Sequence, residues 1–199
     1  MTKADLSESN LANIDLSGAD LSEAFLSDTD LSDADLCKAN LSDATLQNTI
    51  LTRAVLTEAD LPGATLWHAD LTDAILQKAN LADAWISRTN FTRADLFNVN
   101  LTDATLDGSN FSDANLFDVN FTDADLCEVN LSGATLIGAN LTGSDLSGAD
   151  LTGADLTGEY MADEMSQDER HCRYSDSTKW PAGFTPPPSA VAPELSADP

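Results

Sequence analysis

The chain has 199 residues, 34 of them acidic and 9 basic, for a formal net charge of −25. Such a polyanion is repelled by nucleic acid and by anionic lipid, so direct binding to either is disfavoured. No apolar run reaches membrane-spanning length, and the N-terminus enters a repeat at Ala4 without a signal peptide, so the expected location is the cytoplasm.

From Leu6 to Leu156 every fifth residue is Leu, Phe or Ile, at 31 consecutive positions without a slip. The residue two before each is small or β-branched, and is Ala at 21 of them. Five matches neither the 3.6 period of an α-helix nor the 2 of a flat strand, and it marks a solenoid that turns a corner in each unit. In Ala19-Asp20-Leu21-Ser22-Glu23, Ala and Leu share one side of a short extended segment and Asp the other. The odd step from Leu to the next Ala requires a bend, which falls at the Ser/Thr-x pair. Each pentad therefore reads as one short strand plus one corner.

A ten-residue alternation sets the number of corners. Positions 10 to 150 in tens are Asp or Asn in 14 of 15 cases, whereas the intervening set from 5 to 155 has them in 8 of 16. Three pentads per coil would scramble that pattern, and four preserve it. Recurrences at twenty agree: Phe91 with Phe111, Phe97 with Phe117, Val99 with Val119.

The iterated A(D/N)LXX motif of residues 4–158 resembles the pentapeptide-repeat family. The resemblance implies an all-β fold, a right-handed quadrilateral β-helix of about eight 20-residue coils. At roughly 4.8 Å per stacked layer it would be about 37 Å long. Its bore is filled by Leu and Ala, enlarged around Phe91, Phe111, Phe121, Val99, Val119 and Val129, and needs no ligand.

Residues 159–184 read as a capping extension. Tyr160 to Arg170 suits a short helix with Met161 and Met165 on one side, closing the open end of the coil. The stretch from Tyr174 through Trp180-Pro181 to Phe184 resembles a C-terminal extension of some bacterial members, cyanobacterial ones included, and Trp180 and Phe184 are expected to pack on the last coils. Residues 185–199, with Pro186, Pro187, Pro188 and Pro193, read as a disordered tail.

Nothing gathers into a catalytic set. His68 stands at an outward corner, and His171 beside Cys172 lacks the further ligands that zinc needs. The glycines from Gly133 to Gly158 recur as turn residues without the Lys of a phosphate loop. Cys37, Cys127 and Cys172 read as single surface thiols, the first two on opposite faces. No enzyme activity, metal or cofactor is therefore expected.

What remains is surface. Val55, Ile75, Phe97, Phe117 and Ile137 form an outward apolar stripe on one face, and Trp67 and Trp85, with Phe25, form a patch on the opposite face. The first functional expectation is a non-catalytic interaction module, a rigid acidic rod offering the stripe to a protein partner or to a second copy. The alternative comes from the resemblance: some family members mimic DNA and bind DNA gyrase or related topoisomerases. Residues 4–158 carry 26 acids and 5 bases, or −21. A duplex of about 37 Å would carry about 22 charges.

Overall fold

The computed structural model describes residues 3–157 and 172–186. The expected helix over 160–170, with Tyr160, Met161 and Met165, and the Pro-rich tail beyond residue 186 lie outside the described residues.

Parallel β-bridges link each pentad to the one twenty residues later, from Asp5↔Phe25 to Thr135↔Asp155. Four faces result, with bridge columns beginning at Asp5, Asn10, Asp15 and Asp20, and these are called the first to fourth faces. Among the described residues the strands are shorter than the repeat suggested. Each contributes a single bridge position between turns, because the corners leave only three extended residues.

The corner is a β-turn, seen in bonds such as Ala24 N–H to Leu21 O at 3.0 Å, with its third residue in the left-handed region. That is the φ sign of a type II turn. Among the described residues the non-glycine ones there are Asp, Asn, Glu, Lys, Arg and His, and no β-branched or apolar residue occupies the position. Bridge-position Asp and Asn secure the turn from its other end. Asp15 accepts the Ser17 backbone N–H at 3.0 Å and its hydroxyl at 2.7 Å. This Asx geometry is why Asp and Asn recur outward, quite apart from their solubility. Where they stack as Asn they also bond along the rod, Asn100 donating to Asn80 at 2.9 Å and Asn130 to Asn110 at 3.0 Å.

Inside, the Leu and Ala columns are sealed from Leu26 to Leu151. Phe91 and Phe111 stack at 4.5 Å, and Phe121 meets Phe111 edge-on at 6.4 Å. Where Thr or Ser replaces Ala in the sealed bore, its hydroxyl is buried and bonded to a carbonyl, of the preceding coil for Thr49 to Leu26 O at 2.8 Å and Ser109 to Ile86 O at 2.7 Å, and of its own turn for Ser144 to Leu141 O at 2.8 Å. These substitutions therefore leave no orphaned polar group in the bore.

The tail rejoins the coil. Arg173 bridges Asp145 and Lys179 bridges Asp150, with Lys179 N–H donating to Ala149 O at 2.9 Å. Cys172 and Thr178 take the place that Ala holds in the repeat, and the Thr178 hydroxyl bonds Leu146 O at 2.7 Å. Tyr174, Trp180 and Phe184 pack against the core, Trp180 between Tyr174 at 5.2 Å and Phe184 at 5.3 Å. Cys172 corrects the surface-thiol expectation: it is buried at 3% exposure, because an Arg-flanked small residue continues the inward column.

Candidate functional site

The third face carries the predicted stripe, in two adjoining columns. Val55 and Ile75 are bridge partners in the central column. Phe97, Phe117 and Ile137 lie two residues past the bridge position, where the face turns its corner. The Phe97 and Phe117 rings stack at 5.7 Å and are half-buried. Between the two segments Gln77 donates to Asp95 at 2.6 Å. Ile75 is the most open member of the five, at 38% exposure.

Two charged columns border this face, and sequence reading had not singled them out. On one side the left-handed turn positions run Asp33, Arg53, Asp73, Arg93, Asp113. Arg53 grips Asp33 through both carboxylate oxygens, at 2.7 and 2.5 Å, and Arg93 grips Asp73 at 2.8 Å for each. These donated hydrogen bonds, reinforced by charge, hold Asp33 and Asp73 below the usual carboxylate range. On the other side the turn positions run Lys38, Glu58, Lys78, with Lys38 and Glu58 paired at 3.5 Å. Four of the five bases in residues 4–158 thus flank this one face. Alternation of sign at a spacing of twenty was the signal that could have found them.

On the opposite, first face, Trp67 and Trp85 meet edge-on at 6.2 Å, with 39% and 51% exposure, and Phe25 lies below them at 43%. Ile50 on the second face is also open, at 44%. It is an isolated apolar residue between Asp30 and Asp70, and nothing in the Asp/Asn regularity of that column announced it.

Among the described residues no three His, Cys, Asp or Glu side chains are grouped to hold a metal. The Cys127 thiol is pushed up to about 12, by burial first and then by Asp125 and Asp145, and burial pushes Cys172 up to about 11. Neither thiol is thereby activated as a nucleophile. No helix among the described residues is long and apolar enough to cross a membrane.

Residues 1–36, 39–77, 74–113, 94–133 and 120–158 match the family model of pentapeptide repeats. No curated protein matches the chain. Among solved structures it is similar to HetL, a pentapeptide repeat protein involved in heterocyst differentiation regulation from the cyanobacterium Nostoc sp. strain PCC 7120. The identity is 31%, covering 89% of this chain and 73% of that one, with a TM-score of 0.72. It is also similar to QnrB1, a plasmid-mediated fluoroquinolone resistance protein, at 23% identity over 88% of this chain and 84% of that one, with a TM-score of 0.50. At that identity the likeness is one of fold. These neighbours imply the right-handed quadrilateral β-helix.

Proposed function

The chain belongs to the pentapeptide-repeat family, and from that membership we propose that it is a non-catalytic interaction module whose third face is its principal contact surface. The family is in general non-catalytic. The single observation that carries the proposal is the combination on that face. Apolar side chains at Val55, Ile75, Phe97, Phe117 and Ile137 lie between charge columns that neutralise themselves, on a molecule of net charge −25. Desolvating such a face costs less than desolvating the Asp/Asn faces, and aromatic anchors dominate interfaces. The Trp67–Trp85 pair is a second, smaller surface for the same kind of contact.

The DNA-mimic alternative fits less well. Its charge match treats the rod as uniformly anionic, whereas the bases are concentrated beside one face, and QnrB1 shares the fold alone.

The test is affinity capture of protein partners with wild type and with Phe97→Ser/Phe117→Ser. The double variant is expected to lose the captured partner or its self-association while remaining folded. The lost ring stack accounts for about 1 kcal/mol and each half-buried side chain for about 1 kcal/mol more, and circular dichroism checks that the variant stays folded. A double variant that still captures every wild-type partner would overturn this assignment, and Trp67→Ser/Trp85→Ser then tests the opposite face.

A further inference from the structure

Building on the assignment of the third face, we propose that its occupant is a second copy of this chain, packed face to face and antiparallel. The two border columns are self-complementary when reversed. A two-fold axis perpendicular to the rods, placed midway between the coil levels of Arg53 and Asp73, sets Arg53 opposite the partner's Asp73 and Asp33 opposite the partner's Arg93. On the other border the same axis sets Glu58 opposite the partner's Lys78. Every charged pair on the two borders then joins opposite signs, which is the condition for like surfaces of an acidic protein to meet.

Four of the five apolar residues meet the partner about the same axis, and Ile137 falls beyond the partner's first coil. Val55 falls opposite the partner's Ile75 at the centre. Phe97 and Phe117 fall opposite the partner's Cys37 and Ser17, small side chains that leave room for rings standing at the corner. One like-charge contact remains, made twice by the symmetry, Asp35 against the partner's Asp95. Asp95 is satisfied within its own chain by Gln77 at 2.6 Å and Asn115 at 2.9 Å. The parallel alternative is worse. It would set Asp113 against the partner's Asp118 and place Asp35 and Asp95 each against its own copy. Among the described corner columns this alternation of sign occurs beside the third face, and the fifth base of the repeat, Arg88, stands between His68 and Gly108.

Sedimentation of the full chain at low salt tests this with a charge swap. Variant one is Arg53→Glu/Arg93→Glu, and variant two is Asp33→Lys/Asp73→Lys. Wild type is expected to dimerise, less tightly as salt rises. Each variant alone should weaken the dimer by on the order of 100-fold or more, because like charges now oppose each other across the axis. An equimolar mixture should restore a heterodimer, since the reversed columns complement one another only in the antiparallel register. Circular dichroism confirms that both variants remain folded. A mixture that stays monomeric, or variants that dimerise like wild type, would overturn the proposal. A monomeric wild type that nonetheless loses a partner through Phe97→Ser/Phe117→Ser would remove the second copy as occupant and leave the face as a contact surface.

Discussion

Leu101→Ala measures how the rod holds itself together. Leu101 is fully buried in a column between Leu81 and Phe121. Its layer is pinned on both sides: Asn100 N–H donates to Ala79 O at 3.1 Å, Leu101 N–H to Asn120 O at 2.8 Å and Asp103 N–H to Thr122 O at 3.0 Å. A backbone bonded above and below cannot close in on a void, so the loss belongs in the upper part of the usual range of about 2–5 kcal/mol for Leu→Ala. About 4 kcal/mol is expected, a large share of the roughly 5–15 kcal/mol that holds a typical domain folded. Two neighbours calibrate the result. Thr102 lies outward but is engaged, donating to Asn100 at 2.7 Å and accepting from Asn120 at 2.9 Å. Thr102→Ala therefore costs about 1 kcal/mol, since water replaces much of what is lost. Asp103 sits at φ 56, where Asn is equally at ease, and Asp103→Asn should be within about 0.5 kcal/mol of wild type. Urea denaturation followed by circular dichroism gives all three. A Leu101→Ala loss no larger than that of Thr102→Ala would refute the assigned facing and the pinned-layer reasoning together.

Two more expectations concern the returning tail. Lys179→Pro removes the N–H that donates to Ala149 O and should undock residues 172–186, exposing the last coil's edge and causing concentration-dependent aggregation in light scattering. Lys179→Ala, which keeps that N–H and loses the Lys179–Asp150 ion pair at 2.6 Å, should stay soluble and lose under about 1 kcal/mol. The second is acid release. Hydrogen bonds from Lys179 first, and then from Thr152, hold Asp150 at about 2. A carboxylate lowered by folding lends stability above the free Asp range, and that contribution is lost as pH falls through the folded value. The pair's small contribution to holding the tail should therefore be lost between about pH 4 and pH 2, loosening the tail slightly without undocking it. Trp180 fluorescence in a Trp67→Phe/Trp85→Phe background should shift to the red across that window. The shift should weaken in Asp150→Asn, and a tail docked equally at both pH values would contradict the role given to this pair.

By itself the sequence determined the coil. A five-residue apolar period admits one inward column per pentad, and Asp or Asn two residues before a turn has a bond to make whatever surrounds it. The twenty-residue recurrences of Phe97 with Phe117 and Phe91 with Phe111 placed side chains in stacked pairs, because a solenoid converts sequence distance directly into spatial distance. The tertiary structure alone decided what breaks that arithmetic. Arg173 lies twenty-eight residues from Asp145 and Lys179 twenty-nine from Asp150, so no period announces their bridges or the burial of Cys172. It also decided how the corner charges of one border engage each other. Asp33 and Arg53 are far apart along the chain, and only the left-handed turn that aims both outward at one corner lets a guanidinium grip the carboxylate one coil below.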